Sequence, residues 1–430
     1  MKIEQLHERF LNHPIISIDS RNITPGCIFF ALKGPNFDGN KYAADALKKG
    51  ASFAVIDDTS LSPNNEFIVV DNVLTALQQL AAYHRKQLNI PVLGITGTNG
   101  KTTTKELIVS VLQKKYKITS TQGNLNNHIG VPLTLLNMNQ DTEVAVIEMG
   151  ANHRGEIAEL CKIANPDLGL ITNIGKAHLE GFGSFEGVIK TKSELYEHLR
   201  SVNGACFINR DNDLLIKQAK NLLQYTYGSS DNAQLRGELQ ESVYYLTVKA
   251  LFPKGWLYLK SKLIGSYNCE NILASARVGL HFNVDPLAIQ KAIEEYTPTN
   301  NRSQLISKGT NKIIMDAYNA NPTSMAASLK NLDTINQADK VVILGDMLEL
   351  GESSSDEHQK IADLLQSMKL NQIFLVGKEF AKTSTGLKTK KFDHVELLSD
   401  YLHQQKPMQN NLILIKGSRG IKLEQILDLL

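Results

Sequence analysis

The sequence predicts an α/β protein of three domains, in which a central domain is built on a P-loop-type, mostly parallel sheet. A small N-terminal α/β domain precedes it, and a C-terminal Rossmann-like α/β domain follows it. Two observations predict this class. Short apolar runs alternate with stretches of helical periodicity along most of the 430 residues, which is typical of helices covering a parallel sheet. In addition, a glycine-containing segment at 94–103 joins a strand to a helix, as a phosphate-binding loop does.

Charge and composition exclude several classes of protein. Lys and Arg total 46 and Asp and Glu total 44, so the formal net charge of +2 favours neither nucleic acid nor an anionic membrane as a partner. The four cysteines, Cys27, Cys161, Cys206 and Cys269, lack the spacing of a zinc site or a disulfide framework. No apolar stretch approaches the roughly 20 residues of a membrane span. We expect a cytoplasmic protein that inserts into no membrane and binds no nucleic acid.

The first domain is predicted to span residues 1–88. Apolar runs at 27–32 and 53–56 predict strands, whereas 45–49 and 74–87 read as helices. Glycine, proline and aspartate between 34 and 39 predict turns. The result is a small unit of mixed sheet and helix.

The central domain is predicted at 89–298. Its strands are expected at 91–96, 144–147 and 168–171, and helical stretches separate or follow them. The aromatic and aliphatic residues at 242–263 predict antiparallel strands appended to this sheet.

The polar, proline-containing stretch 297–301 predicts the boundary with the third domain, at 299–430. Strand-like runs recur there, with helices between them, for example at 358–368. The strand-like runs are 312–315, 341–344, 372–376 and 411–415.

The most specific motif is the loop that follows the first central strand. Its glycines allow backbone N–H groups to face phosphate oxygens, and the following helix N-terminus adds a favourable dipole. Lys101 would neutralise the β- and γ-phosphates, and the Thr102 hydroxyl would reach Mg²⁺. The strict pattern requires glycine at position 95, where this chain has Ile95. The alternative is an ordinary glycine-containing turn. The predicted ATP-binding loop consists of Gly97, Thr98, Asn99, Gly100, Lys101, Thr102 and Thr103.

With this variant loop, a series of further motifs resembles the Mur ligases along nearly the whole chain. They are Asp19-Ser20-Arg21, 31–34, 123–132, 148–151, 172–175, 177–182, 316–325, 344–351 and 416–420. The resemblance implies an ATP-dependent peptide ligase of peptidoglycan synthesis. It would join D-alanyl-D-alanine to a UDP-N-acetylmuramoyl tripeptide through an acyl phosphate, with ATP and two Mg²⁺ ions, and we expect it to act as a monomer. Residues 1–88 would bind the UDP-sugar, 89–298 ATP, and 299–430 would close over ATP and the dipeptide.

The resemblance also implies roles for residues that pattern alone leaves open. Glu148, at a strand end, would be a Mg²⁺ ligand rather than a solvated charge. His178 would bind the second Mg²⁺ and act in catalysis with Lys101, although a loop histidine usually only makes hydrogen bonds. Asn271 would contact adenine or else cap a helix. Arg302 and Asp316 would close over ATP, or form an interdomain ion pair.

Substrate contacts are expected in two places. Ser20 and Arg21 resemble the site for the uridine diphosphate, since guanidinium suits phosphate. Asn126 is assigned to substrate as well. Asn319, Asn321 and Ser324 resemble the region that presents the dipeptide; alternatively, this stretch is a turn with a helix cap. 

Lys192 occupies a gap in the apolar stripe of a predicted helix. The stripe consists of Phe185, Val188, Leu195 and Leu199. An inward lysine is costly when charged, so its pKa should fall; outward snorkelling is the alternative. The resemblance implies a carbamylated Lys192 that supports the second metal and takes part in catalysis. Lys190 and Glu194 lie outside the apolar stripe, four residues apart, and are expected to form an exposed ion pair.

Three other functions remain to be distinguished. The ligase that adds the third residue of the peptide should carry a different C-terminal motif from the one at 318–322. A folylpolyglutamate synthase should have its phosphate loop much nearer the N-terminus. A nucleotide-binding switch without ligase activity would not need Lys101, Thr102, Glu148, His178 and Lys192 together.

Overall fold

The computed structural model describes residues 2–61, 64–240, 243–299, 301–337, 339–386 and 388–430. Three sheets of four, nine and six strands follow one another along the chain, with an additional two-stranded hairpin in the first part. This confirms the predicted mixed α/β class. Two positions used in the sequence analysis, Ser242 and Asn300, lie outside the described residues.

The first sheet is parallel. Its strands lie in the order β1 (Ile16–Ser17), β2 (Ile28–Phe30), β5 (Phe53–Ile56) and β6 (Phe67–Val69). Its last helix, α3, shares one apolar core with residues of the next domain, including Val131 and Leu135. Helix α3 therefore packs against residues of both the first and the central domain. The elements are α1 (Ile3–Asn12), β1 (Ile16–Ser17), β2 (Ile28–Phe30), β3 (Lys33–Gly34), β4 (Phe37–Asp38), α2 (Ala43–Lys48), β5 (Phe53–Ile56), β6 (Phe67–Val69) and α3 (Val73–Gln87).

The nine-stranded central sheet begins with the strand that leads into the phosphate loop. Its helical part contains β7 (Val92–Thr96), α4 (Lys101–Leu112), β8 (Ile118–Ser120), α5 (Gly130–Leu136), β9 (Val144–Glu148), α6 (Glu156–Ala164), β10 (Leu168–Ile171), α7 (Leu179–Phe182), α8 (Phe185–Ser201), β11 (Ala205–Asn209) and α9 (Asp213–Gln218). The rest contains β12 (Leu223–Gly228), β13 (Leu235–Gln240), β14 (Tyr245–Phe252), β15 (Gly255–Ile264), α10 (Asn268–His281) and α11 (Pro286–Glu295).

The strand order of the central sheet is β15-β14-β13-β12-β11-β10-β7-β9-β8. All neighbouring strands are parallel except at β13–β14 and β14–β15. The appended antiparallel strands predicted from the aromatic stretch are thus observed at one edge. The fully buried strands β7, β9 and β10 lie side by side, which brings their carboxyl ends together.

The third sheet has the order β16-β17-β21-β18-β19-β20 and is parallel except for the pair β16–β17. Its elements are β16 (Gln304–Lys308), β17 (Asn311–Asp316), α12 (Pro322–Thr334), β18 (Lys340–Gly345), α13 (Ser354–Gln366), β19 (Gln372–Val376), α14 (Lys378–Ala381), β20 (Thr389–Phe392), α15 (Val395–His403) and β21 (Leu412–Lys416). Helices lie between successive parallel strands, as a Rossmann-like sheet requires. Across the described ranges, no helix combines the length and apolar character needed to cross a membrane.

Candidate active site

The phosphate loop adopts a backbone that requires glycine at two positions. Gly97 has φ +140° and Gly100 has φ +78°, both in the region that side chains rarely adopt. A Cβ on Gly97 would lie 2.0 Å from the Thr172 hydroxyl, so space forbids it as well. Helix α4 begins directly after the loop, at Lys101, with Thr102 and Thr103 in its first turn. The loop N–H groups and the helix N-terminus therefore share one side, as an anion site requires.

The end of strand β10 holds this loop in place. The Thr98 N–H donates to the Asn173 carbonyl at 2.9 Å, and the Asn99 N–H donates to Asn173 Oδ1 at 2.9 Å. The Thr172 hydroxyl donates to the Asn99 carbonyl at 2.6 Å. Asn173 was not among the predicted site residues. Its position directly after an apolar strand, opposite the loop, was the available signal.

The Lys101 ammonium folds back over the loop. Its Nζ donates to the Gly97 carbonyl at 2.8 Å and to the Thr98 carbonyl at 3.1 Å. Burial lowers the pKa of Lys101, the charge of Arg302 lowers it further, and Glu148 acts in the opposite direction. A cation that faces such a glycine loop is placed to neutralise phosphate oxygens.

Glu148 is a buried carboxylate at the end of β9, 1% exposed. Its Oε1 accepts hydrogen bonds from the Thr102 hydroxyl at 3.2 Å and from Asn126 Nδ2 at 2.8 Å. Its Oε2 is also buried and has no hydrogen-bond partner among the described residues. An unpaired buried carboxylate oxygen is costly unless a ligand completes it. Asn126, which the sequence analysis assigns to substrate, is the donor of the shorter of these two bonds.

The unpaired Oε2 of Glu148 is the observation from which we judge whether Mg²⁺ fits the site. Within the described ranges, no group of three or more His, Cys, Asp or Glu residues is close enough to hold a metal alone. Mg²⁺ commonly takes one or two protein oxygens and completes its shell with substrate phosphates and water. The free Oε2 of Glu148 beside the Thr102 hydroxyl fits that description.

Lys192 lies on the buried face of α8 and is 2% exposed, so the inward orientation predicted from the stripe is observed. Burial and, second, the nearby charge of Lys101 together lower its pKa to about 7. Its Nζ lies 5.4 Å from the centroid of the Phe182 ring. A lysine with this pKa is partly an uncharged, nucleophilic amine at neutral pH.

The expectation for Glu194 on the same helix was wrong. Instead of forming an exposed pair with Lys190, Glu194 accepts backbone N–H groups of Gly155 and Ala158, both at 2.8 Å. These groups begin helix α6, so the carboxylate satisfies donors that the helix leaves free. The partner lies 36 to 39 residues away in sequence, and helical spacing alone could not reveal it.

His178 contacts the third domain. Its backbone has φ +49°, and its imidazole Nδ1 lies beside the carboxylate of Glu349, which follows strand β18. Among the described residues, this buried Nδ1 has no hydrogen-bond partner. The ring packs edge-on against Phe182, with the ring centroids 6.1 Å apart. The structure therefore links His178 to Lys192 through the Phe182 ring. Glu349 was not predicted as a site residue, although its motif was noted.

Asn271 and Asp316, which are expected near the adenosine of ATP, have different kinds of partner. Asn271 is buried: its Oδ1 accepts from the Thr104 hydroxyl at 2.9 Å and its Nδ2 donates to Asn268 at 2.7 Å. Asp316 pairs with Lys416 of the same domain at 2.5 Å. The ion pair of Asp316 therefore lies within its own domain and does not connect two domains.

Arg302 lines a cavity of about 280 Å³ beside Thr102. Its guanidinium carbon lies 3.5 Å from the centroid of the Tyr318 ring, and Arg419 lies on that ring at 5.4 Å. Within the described ranges, the buried Nε of Arg302 has no hydrogen-bond partner. Stacked guanidinium groups with free donors suit an anionic ligand. Tyr318 and Arg419 belong to quoted motifs but were not selected from the sequence.

The predicted substrate residues fall into two separate places. Arg21 is exposed and forms a bidentate pair with Asp19, which lowers the pKa of that carboxyl to about 2. The Ser20 carbonyl accepts from the Lys49 ammonium at 2.7 Å. These groups lie on the first domain, on a loop between β1 and β2.

The dipeptide stretch lies at the other end of the site. Asn321 caps helix α12 through Ser324, as the alternative proposed, and its Nδ2 also donates to Asn99 Oδ1 at 2.7 Å. Asn319 is exposed. The structure therefore brings Asn321, but not Asn319, into contact with the phosphate loop.

Known proteins match the parts of the chain that form this site. Three family models match consecutive parts of the chain: "Mur ligase family, catalytic domain" at 14–92, "Mur ligase middle domain" at 95–279, and "Mur ligase, glutamate ligase domain" at 301–419. The UDP-N-acetylmuramoyl-tripeptide–D-alanyl-D-alanine ligase of Bacillus subtilis (strain 168) is 35% identical in an alignment of 424 residues that covers 96% of this chain and 92% of that protein.

Two solved structures are similar over the same length. MurF from Acinetobacter baumannii superimposes with a TM-score of 0.86 at 31% identity, covering 96% of this chain and 92% of that one. The MurF ligase from Thermotoga maritima in complex with ADP also gives 0.86, at 26% identity, with 97% of each chain covered.

Proposed function

The chain belongs to the Mur ligase family, and we propose that it joins D-alanyl-D-alanine to a UDP-N-acetylmuramoyl tripeptide. The observation that carries this substrate assignment is the full-length match to relatives that are named for that reaction. ATP supplies the energy, and the ADP complex of the Thermotoga maritima relative supports the nucleotide assignment. The product is the UDP-linked pentapeptide used in peptidoglycan synthesis.

In the first step, the tripeptide carboxylate attacks the γ-phosphorus of ATP, and ADP leaves. The transfer depends on positioning and on charge neutralisation rather than on a protein nucleophile. The N–H groups of Gly100 and of the first turn of α4 would hold the phosphates, and the Lys101 ammonium would exchange its loop carbonyls for phosphate oxygens. Arg302, whose Nε is free, would approach the phosphates from the third domain.

In the second step, the dipeptide amine attacks the acyl carbon, and inorganic phosphate leaves with the bonding electrons. The amine loses a proton as the amide forms. An acyl phosphate is open to water, so the site must be covered while the dipeptide binds. The cavity that lies between Thr102 and Tyr318 supports this arrangement, because its walls come from two domains.

We propose that Thr102 and Glu148 hold one Mg²⁺, since the buried Oε2 of Glu148 is free to bind it. His178 and Lys192 would support a second ion. For this role, the neutral Lys192 amine adds to CO₂ and releases a proton, which turns a cation into an anionic carbamate. The low pKa of Lys192 and its burial support that reaction. Bound Mg²⁺ would withdraw charge from the phosphate oxygens.

The domains would divide the work. Residues 1–88 would bind the UDP-sugar through Ser20 and Arg21, 89–298 would bind ATP, and 299–430 would present the dipeptide near Asn319, Asn321 and Ser324. A monomer is the proposed working form. All four cysteines are free thiols, which supports a reducing, cytoplasmic location.

Phosphate release with a panel of nucleotide-linked peptides and acceptors tests the function. Release should require ATP, the UDP-linked tripeptide and D-alanyl-D-alanine together, and the new amide should appear by mass spectrometry. Glu148→Gln should lower the rate by roughly 100-fold or more, since it removes the anionic oxygen. ATP turnover that ignores both substrates would indicate a nucleotide switch, and use of a single amino acid on a dipeptide precursor would indicate the preceding ligase.

A further inference from the structure

We propose that Tyr267 is a positioning residue for Arg302, whose guanidinium lines the cavity beside the phosphate loop. Tyr267 belongs to the central domain and stands directly before helix α10, whereas Arg302 belongs to the third domain. The two are connected through Ser303, the residue that follows Arg302 in the chain. The inference rests on the proposed function, in which Arg302 contacts the phosphates of ATP.

The hydroxyl groups of Tyr267 and Ser303 form a hydrogen bond of 3.0 Å between the two domains. The Tyr267 ring lies against the backbone of Gly265, where a Cβ would come within 2.3 Å of the ring carbon Cε1. Gly265 also has φ +90°, a conformation that side chains rarely adopt. The close approach of ring and backbone therefore needs this glycine, and it holds the Tyr267 hydroxyl at one place.

Ser303 is fixed from the other side by the third domain. It is 7% exposed, and its backbone N–H donates to Asp316 Oδ1 at 3.3 Å. Asp316 Oδ2 in turn accepts from the Ser328 hydroxyl at 3.2 Å and pairs with the Lys416 ammonium. Ser303 has φ +48°, which is unfavourable for a residue other than glycine and persists where the surrounding structure imposes it. These bonds set the direction of the chain directly after Arg302.

The Arg302 guanidinium depends on this support because its own partners are few. Among the described residues it forms no ion pair, and its buried Nε has no hydrogen-bond partner. Its contact is the Tyr318 ring, 3.5 Å from the guanidinium carbon. Burial lowers the pKa of Lys101, and the charge of Arg302 does so as well, which places the two cations near each other. An anion in the cavity would be attracted by both. A guanidinium without an acceptor is oriented by its backbone and by the ring on which it stacks.

A second tyrosine provides a matched control. Tyr296 directly follows helix α11, and its hydroxyl donates to Glu106 Oε2 at 2.7 Å, within the central domain. Both tyrosine side chains are half-buried, so replacement by phenylalanine removes one hydroxyl hydrogen bond in either case and keeps the ring. A general loss of stability would affect both variants. Only Tyr267→Phe removes the bond to Ser303.

Calorimetry with a non-hydrolysable ATP analogue and Mg²⁺, on the full-length protein, tests the inference. Tyr267→Phe should weaken binding about 3- to 10-fold, as expected for the loss of one hydrogen bond that orients a charged group. Ser303→Ala breaks the same hydrogen bond from the other side and should give the same loss. Tyr296→Phe should change Kd by less than about twofold, because its hydroxyl contacts no residue of the third domain.

A double-mutant cycle separates the orientation of Arg302 from a merely structural effect. Arg302→Ala alone should weaken binding about 10-fold or more, since it removes a charged donor. Adding Tyr267→Phe to Arg302→Ala should then weaken binding by less than about twofold, because the group that the hydroxyl orients is gone. A hydroxyl that served only the fold would instead produce its full loss in both backgrounds.

Several results would overturn the positioning role. They are independent, additive losses in the cycle, an unchanged Kd in Tyr267→Phe, an equal loss in Tyr296→Phe, and a loss in Tyr267→Phe that Ser303→Ala does not share. Binding of the analogue needs neither peptide substrate. A wild type that shows the expected coupling but forms no amide would therefore refute the proposed function and not the positioning role.

Discussion

Replacing Lys192 by methionine should make the protein more stable at neutral pH while removing its activity. Burial and the nearby Lys101 charge lower the pKa of Lys192 from 10.5 to about 7. At about pH 7, roughly half of these side chains are then uncharged amines, against about one in 3,000 for an ordinary lysine. The folded protein thus maintains a reactive amine that is suited to carbamate formation.

The cost of that amine follows from linkage. The folded-state pKa is below the unfolded-state value, so the unfolded chain binds more protons between about pH 7 and 10.5. Stability from this group therefore rises with pH across that window, and the cost is fully present below it. At about pH 7, the difference amounts to about 4 kcal/mol. Methionine has similar length and no charge, so Lys192→Met should recover a large part of that amount, about 2–4 kcal/mol.

Unfolding in urea would measure the effect, in buffer freed of CO₂ so that no carbamate forms. The single tryptophan, Trp256, lies on β15 of the central sheet and reports on the domain that contains Lys192. The gain for Lys192→Met should shrink as the pH rises from 7 towards 10. Lys190→Met, on the exposed side of the same helix, should show no such dependence.

Activity provides the second readout. Lys192→Met and Lys192→Ala should both lose most ligase activity, and acetate should partly restore Lys192→Ala by supplying a carboxylate where the carbamate would lie. A Lys192→Met protein that is less stable than the wild type at pH 7, with the same difference at every pH, would refute the reasoning about the buried amine. Full activity in Lys192→Ala would refute the carbamate.

Two further outcomes follow from other contacts. Asn321→Ala removes both the N-cap acceptor for the Ser324 N–H and the hydrogen bond to Asn99. It should lower the free energy of unfolding by about 1 kcal/mol and weaken the binding of a non-hydrolysable ATP analogue several-fold, as measured by calorimetry. An unchanged Kd would contradict the link to the phosphate loop. The pKa of His84 is lowered by burial, and that of His7 by burial and by the charge of His84. Because the unfolded chain then binds more protons than the folded one, the melting temperature should fall as the pH drops below about 6.5. His84→Gln should reduce this fall, and an equal fall in the variant and the wild type would exclude the histidine pair as its cause.

Much of the fold could be predicted from the sequence because its long elements carry strong local patterns. The strands at 92–96 and 144–148 are fully buried apolar runs, and their ends lie close to the predicted positions. Some of the strands missed are short and lie at sheet edges, for example Ile118–Ser120 and Thr389–Phe392. Others lie inside the central sheet, and Ala205–Asn209 among them is fully buried, so it was missed despite its apolar character. A half-exposed three- or four-residue strand has too little periodicity to be recognised.

The site could be predicted only where its residues adjoin one another in the chain. The phosphate loop is such a segment, and its backbone follows from its own glycines. Glu148 could be named, but the orientation of its carboxylate depends on Asn126, in a loop, and on Thr102, in the first turn of α4. Glu349 stands 171 positions from His178, and no local pattern connects them. Such pairings arise from the packing of domains, which sequence spacing does not encode.

The placement of these pairings explains why ATP chemistry and domain docking depend on each other. Asn99 and His178 follow strands β7 and β10, at the carboxyl edge of the central sheet, while Asn321 and Glu349 follow β17 and β18, at the corresponding edge of the third sheet. Ligand sites of open α/β sheets form at such edges, and here two edges face one another across one cavity. Any movement that separates them breaks a bond to the phosphate loop and releases His178 at the same time. Docking therefore joins Asn321 to the phosphate loop and brings Glu349 to the His178 ring in one step, and the same closure would exclude water from the cavity between the two edges.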